Sequence, residues 1–415
     1  MTTPVRIPFP VVDEVSRHCL QEEEPETVHI EVHLPGPVDQ MRLRKAFTEA
    51  LHRHPRILMR EAKGPWYRRR YEWELTPEPD VEVVTFAPPG PRALQDARTR
   101  AVTEAPPLSV SPPIRLEVVD SVLFLTINHT ALDGPACLRV LATAAELYGG
   151  RDNAPAAPPV RPAEPRQDPP DTPTTWSPPA RVAPGTPAPS PGNGMLVTEL
   201  PLPHRPKGSP YTVNDQLMVT TALTIAHWNR EHGARPRPLR ITMPVDDRPR
   251  DTTMPIGNGT RLVEVPFSPA ELDHPDMSAL LRRTAERTRA LKSLPRPQLG
   301  HGAALLTAPW APVAARAALT RALRRAAAPW TSTTLLSNIG RIPYPLDFGE
   351  ETGRAHAVWF SAPARMPRGL TVTTASTAGR LHLALRWSRA LLSHGDGAHL
   401  RDLFEHYLHT TEVTP

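Results

Sequence analysis

Residues 151–194 hold 14 prolines and few large apolar side chains, and no other stretch constrains the fold as strongly. Each proline fixes φ at about −65° and removes a backbone donor, so neither a helix nor a central strand runs through such a segment. Without apolar periodicity it cannot bury enough surface to offset the entropy of ordering it. It reads as an extended crossover linker that divides the chain into two domains, 1–150 and 195–415. Each half is long enough for a core of its own.

Both halves mix strands with helices. In the first, Val28–Leu34 alternates apolar and polar residues and predicts a half-exposed strand. After the turn at Pro35-Gly36-Pro37, Val38–His54 carries a helical stripe that stops at His54-Pro55, because a residue before proline disfavours helix. Ile57–Met59, Trp66–Leu75 and Val81–Phe86 are strand candidates, and Leu94–Glu104 a short helix. Ile114–Val119 and Val122–Ile127, parted by Asp120-Ser121, form a hairpin. In the second half, strands are expected at Met195–Leu200, Leu239–Val245, Arg261–Val265, Thr333–Leu336, Val358–Ser361, Leu370–Ala375 and Arg380–Trp387. Helices are expected at Thr212–His232, Met277–Leu294, Pro312–Ala328 and Gly397–His409, the first capped by Thr212 and ended by Gly233. Trp228, Trp359 and Trp387 are read as core.

Charge and cysteine usage exclude several classes of function. The net charge of +5 comes almost wholly from scattered arginines, with only four lysines. The clusters Arg68-Arg69-Arg70 and Arg321/Arg324/Arg325 read as solvated surface, and no zinc-finger spacing or RNA-binding aromatic motif points to nucleic acid. Cys19 and Cys137 do not make a disulfide framework. No run approaches the ~20 apolar residues of a membrane span. The first residues lack the cationic start and apolar core of a signal peptide, so a cytoplasmic protein is expected. His29 and His33, on one face of a strand and without a third ligand, read as surface histidines rather than a metal site. No G-x-S-x-G elbow, P-loop or dinucleotide fingerprint is present.

The chemistry points to residues 122–148. A strand of apolar residues delivers Asn128-His129, the next residues turn, and Asp133-Gly134-Pro135 opens an apolar-periodic helix. An imidazole at the end of a buried strand can serve as a general base. The glycine leaves room for a substrate beside the ring.

Six segments in order then resemble the condensation-domain superfamily of HxxxD acyltransferases. They are LRKAFTEALHRHPRIL (43–58), INHTALDG (127–134), TVNDQLMVTTALTIAHW (212–228), ITMPVDDRPRD with IGN (241–251, 256–258), LLSNIGR (335–341) and GRLHLALRWSRALLS (379–393). The superfamily includes nonribosomal peptide condensation domains, chloramphenicol acetyltransferase and polyketide-associated esterifying enzymes. The resemblance implies an α/β fold of two chloramphenicol-acetyltransferase-like domains, each a mixed sheet with flanking helices, set in a V around a central channel. It implies His129 as the general base, and Asp133 as a structural residue paired with Arg248, with Arg250 and Arg53 as alternative partners. Gly134 would keep the approach open, and Ser337, Asn338 and Asn128 are channel or oxyanion candidates. Asn128 stands where the family has its first histidine, which leaves its contribution to the channel unassigned. No bound cofactor is implied. The co-substrate would be a phosphopantetheine thioester, on coenzyme A or a carrier protein, the acceptor a small alcohol or amine, and the protein a monomer. A non-catalytic module that docks carriers or recruits a tailoring enzyme is the main rival, and a condensation-like epimerase a third reading.

Overall fold

The computed structural model describes residues 4–151, 177–248, 254–273, 276–294 and 303–412. The first half runs β1 (Arg6–Pro8), α1 (Val11–His18), β2 (Thr27–His33), α2 (Gln40–Arg53), β3 (Met59–Glu61), β4 (Glu72–Leu75), β5 (Val84–Phe86), α3 (Ala93–Thr103), β6 (Ile114–Val119), β7 (Val122–Asn128) and α4 (Gly134–Tyr148). The second runs β8 (Asn193–Pro201), α5 (Val213–Glu231), β9 (Leu239–Asp246), β10 (Thr260–Phe267), α6 (Pro269–Leu272), α7 (Met277–Ser293), α8 (Ala303–Thr307), α9 (Val313–Ala326), β11 (Thr334–Arg341), β12 (Ala357–Ser361), β13 (Leu370–Thr377), β14 (Arg380–Ser388) and α10 (His394–Thr410). Among the described residues no helix is long and apolar enough to cross a membrane.

Three sheets result. β1, β4 and β3 make a small antiparallel one. Six strands in the order β10-β9-β11-β13-β14-β8 form the second-half sheet, with β11 parallel to both neighbours. Five strands in the order β12-β2-β7-β6-β5 form the first-half sheet. β12 therefore leaves the half that encodes it and pairs antiparallel with β2, from Ala357 opposite His33 to Ser361 opposite His29. The expected strand 358–361 exists, but its backbone donors are satisfied in the other sheet. Tyr344, Leu346, Phe348, Val358 and Phe360 follow it into the first core, packed with Ile30, Phe47, Leu125 and Leu141.

Several expectations shift for physical reasons. β2 is buried on both faces rather than half-exposed. Its polar side is covered by α3, from which Arg98 reaches Glu31 with Nε at 3.0 Å and Nη2 at 2.6 Å, while His29 Nδ1 meets Ser361 Oγ at 2.6 Å. His29 is thus no surface histidine. Trp66 and Tyr67 are exposed and lie in a turn, so the strand expected from residue 66 starts only at Glu72. Most of the proline-rich segment lies outside the described residues, but 177–192 is a packed strap, not a free linker. Ala180, Val182 and Ala183 are buried. Where proline leaves carbonyls without ladder partners, side chains donate to them instead: Trp228 Nε1 to Ala183 O (2.9 Å), Asn229 Nδ2 to Arg181 O (2.8 Å) and Thr333 Oγ1 to Ala180 O (2.7 Å).

Arg386, on β14 and buried, joins the second sheet to the first half. Its guanidinium donates to Asn193 Oδ1 (2.6 Å) and to the carbonyls of Thr27 (2.7 Å), Val102 (3.2 Å) and Pro25 (3.3 Å). Replacing it with methionine takes its N–H groups from these acceptors; Pro25 O keeps the Thr27 N–H, and each buried acceptor left unpaired costs about 1–3 kcal/mol. Arg386→Met should therefore lose about 3 kcal/mol or more in urea denaturation, and a loss under about 1 kcal/mol contradicts this role. His54, at the C-terminal cap of α2, bonds Thr143 Oγ1 of α4 through Nε2 at 2.8 Å. Burial, with Arg139 and Arg53 nearby, pushes its pKa from 6.5 down to about 4. The unfolded chain then binds a proton that the folded one refuses, so stability is full above pH 6.5 and falls as pH drops towards 4. His54→Gln should flatten this part of the melting-temperature profile against pH; an unchanged slope contradicts it.

Candidate active site

The loop after β7 is fixed by its own backbone. His129 N–H donates to Glu26 O at 2.8 Å, and the N–H groups of Ala131 and Leu132 turn back to Asn128 O at 3.0 and 3.2 Å. Helix α4 starts at Gly134 with Asp133 as N-cap, its Oδ1 accepting from Ala136 N–H at 3.0 Å. His129 is half-buried, and its Nδ1 lies 3.0 Å from Leu132 O. A carbonyl only accepts, so Nδ1 carries the proton and Nε2 carries the lone pair. Nε2 makes no hydrogen bond among the described residues.

His129 opens onto a cavity of about 220 Å³ whose walls come from both halves. Glu26, Val28, Asp133, Gly134 and Pro135 line one side; Asp246, Ser337, Asn338, Phe360, Arg368 and Thr373 are among those on the other. A Cβ at Gly134 would touch Phe360 and Val28 at 3.4–3.5 Å, ordinary contact, so no clash there demands a glycine. Ser337 makes no side-chain hydrogen bond among the described residues. Asn338 is mostly spent: its oxygen accepts from Gly340 N–H (2.9 Å) and Thr374 Oγ1 (3.2 Å), and one N–H goes to Asn214 Oδ1 (3.2 Å). Gly340, at φ +74°, closes the bulge there. One amide N–H of Asn338 is left for a ligand.

Asn128 does not shape this cavity. It is buried away from it, with Nδ2 donating to Pro106 O at 2.9 Å and Oδ1 accepting from Thr130 N–H at 3.1 Å. Its amide secures the strand end, and an imidazole would have to find other partners there.

Asp133 faces the second half. Its Oδ2 accepts from Arg248 Nη2 at 2.6 Å and from Gly259 N–H at 2.9 Å. Burial raises the carboxyl's pKa, and Arg248 with the N–H groups of Gly259 and Ala136 opposes that rise. Every hydrogen bond it makes is an accepted one, which suits the ionised form. Arg248 is held in turn by Asp246, Nε to Oδ1 and Nη2 to Oδ2, both at 2.9 Å, and by Gly257 O at 3.0 Å. Arg53 pairs instead with Glu49 on α2, and Arg250 lies outside the described residues. Sequence reasoning gave no role to two members of this network. Asp246 was quoted only as part of a matched segment. Asn258, in the quoted IGN, donates through Nδ2 to Asp13 Oδ1 (2.9 Å), Thr130 O (3.0 Å) and His129 O (3.2 Å), tying α1 to the histidine loop. Burial raises the Asp13 pKa to about 7, against the bonds from Asn258 and Trp73. A larger cleft of about 640 Å³, lined by Arg341, Tyr344, Arg354, His356 and Ser376 among others, contains none of the histidine-loop residues.

Removing Arg248 leaves the buried Asp133 without its counter-charge, while removing Asp133 leaves Arg248 only Asp246 and uncaps α4; breaking a buried pair costs about 3–5 kcal/mol. Asp133→Ala and Arg248→Ala should each lower stability by that order. In a double-mutant cycle the two losses should fall well short of additive, and strict additivity in chemical denaturation contradicts the pairing.

No family model matches the chain. Two uncharacterized proteins of Mycobacterium tuberculosis (strains CDC 1551 / Oshkosh and ATCC 25618 / H37Rv) are 28% identical over 385 residues, covering 82% of this chain and 84% of theirs. Among solved structures, the condensation domain of the monacolin K polyketide synthase MokA superposes with a TM-score of 0.65 at 12% identity, over 99% of this chain and 98% of that one. The trichothecene 15-O-acetyltransferase of Fusarium sporotrichioides gives 0.65 at 11%, over 99% and 96%. A variant starter condensation domain of rhizomide synthetase, solved with C8-CoA, gives 0.65 at 14%, over 98% and 95%. The strand order, the crossover of β12 and these superpositions together give the chain the two-lobed α/β fold seen in those condensation-domain and acetyltransferase structures.

Proposed function

We propose that the chain is an acyltransferase that moves an acyl group from a phosphopantetheine thioester, on coenzyme A or a carrier protein, to a hydroxyl or amine. The observation that carries this reading is the fixed tautomer of His129, with an unspent Nε2 on a cavity walled by both halves. Nε2 takes the proton of the acceptor as its oxygen or nitrogen attacks the thioester carbonyl. The tetrahedral intermediate collapses, the C–S bond breaks, and the imidazolium returns the proton to the departing thiolate. No acyl-enzyme forms. Ser337 and the remaining N–H of Asn338 are the donors best placed for the oxyanion, and Asp133, Arg248 and Asn258 hold the loop rather than react. A solved relative of the same fold with C8-CoA bound supports coenzyme A as one form of the donor. On this reading the chain acts as a cytoplasmic monomer in natural-product biosynthesis, with 1–150 and 195–415 as its domains and 151–194 as the crossover.

The test is incubation with a panel of acyl thioesters and acceptors, following free thiol and product mass. His129→Ala should lose turnover by roughly 10²–10⁴-fold while keeping the wild-type melting temperature. Wild-type-like turnover in a folded His129→Ala protein removes the base assignment. A wild type inert with every pair, but binding a carrier equally well with or without His129, establishes the docking module instead.

A further inference from the structure

The cavity beside His129 is unevenly balanced in charge. Three carboxylates line it, and each is already engaged by an arginine: Asp133 and Asp246 by Arg248, and Glu26 by Arg365 at 2.5 Å. A further arginine, Arg368, lines the same cavity from the turn between β12 and β13 and has no carboxylate partner among the described residues. Only neutral hydroxyls hold it. Ser332 Oγ accepts from Nε (3.2 Å) and Nη2 (2.9 Å), and Thr242 Oγ1 accepts from Nη2 at 3.4 Å. Thr242 in turn donates to Ser332 Oγ at 2.7 Å, which fixes both hydroxyls. The guanidinium is therefore positioned through one edge, while Nη1 makes no hydrogen bond among the described residues and is not fully buried. Burial draws its pKa down to about 10, so it stays charged at neutral pH.

A permanent positive charge in a confined cavity calls for a permanent negative one. An oxyanion that exists only during the reaction does not answer that need, because in the ground state Glu264 and Glu26 offset the charge only from beyond ion-pair distance. We infer that Arg368 is a specificity residue for a carboxylate, carried by the acceptor or by the far end of the acyl group, that binds in the cavity shared with His129. Carboxylate suits the geometry, since the free end of a guanidinium offers N–H groups in the plane a carboxylate occupies. The inference rests on the proposed function only in taking the ligand to be a substrate.

Two pairs of probes test it: 3-hydroxydecanoate against its methyl ester as acceptors, and glutaryl against butyryl N-acetylcysteamine thioesters as donors. Binding is measured by calorimetry independently of turnover, and octanoyl-coenzyme A is included for its phosphates. In one of the two pairs the wild type should prefer the acid by about tenfold or more in Kd, with added salt eroding the preference. Arg368→Gln should bring that ratio close to one, and Arg368→Lys should keep part of it. The pair that responds identifies the carrier of the carboxylate. Should Arg368→Gln not fold, the acid-to-ester ratio of the wild type still decides. Arg368-dependent acid binding without any turnover keeps the inference while the acyltransferase reading fails. No acid preference in either pair overturns the inference. So does an Arg368→Gln effect confined to octanoyl-coenzyme A, or a fall in kcat equal for acid and ester.

Discussion

One carboxylate holds the functional site together. Asp133 receives the first turn of α4 on one oxygen and Arg248 and Gly259 of the second half on the other. It is at once a helix cap, an ion-pair partner and a backbone clasp. The position of His129, four residues earlier, depends on that clasp, because the turn between them has no room to move independently of α4. Asn258 repeats the logic from the opposite direction, binding the carbonyls of His129 and Thr130 and the side chain of Asp13. The histidine loop is thus gripped by α1, α4 and the segment before β10. Nε2 of His129 is the part left unheld.

How much of this was legible in the sequence follows the distance between partners. The hairpin β6–β7, the capped helix α5 and the hairpin β13–β14 are written in local periodicity and turn chemistry, and they fall where those signals put them. His129 and Asp133 are legible because a strand, a turn and a capped helix follow one another without interruption. The fate of β2 is not, since its alternation of apolar and polar residues looks the same whether Glu31 meets water or Arg98. Asp246, Asn258 and Arg368 escape for the same reason. Each is an ordinary polar residue of a strand end or loop until the fold brings a distant segment against it. The short β1 and the helix α1 escaped as well, and α1 supplies Asp13 to the network.

The division of labour at the cavity follows from this. What sets the chemistry, the tautomer of His129, is decided within four residues by the Leu132 carbonyl. That tautomer is therefore a property of one loop. The wall opposite that loop comes from the other half of the chain and includes Asn338, Phe360 and Arg368.

β12 has a consequence for how the chain is made. Until residues 357–361 leave the ribosome, β2 is an edge strand, with one row of N–H and C=O groups open to any other strand. Its neighbour β7, and the loop bearing His129, are complete long before. The nascent first half must wait, through the synthesis of nearly the whole second half, with an open edge next to its future site. Two features temper that interval. The strand carries His29, Glu31 and His33, which discourage a chance apolar partner, and the proline-rich segment that follows α4 is a poor strand to add. The last strand to reach the first sheet also brings Phe360 to the cavity, so the site is finished only when the sheet is closed.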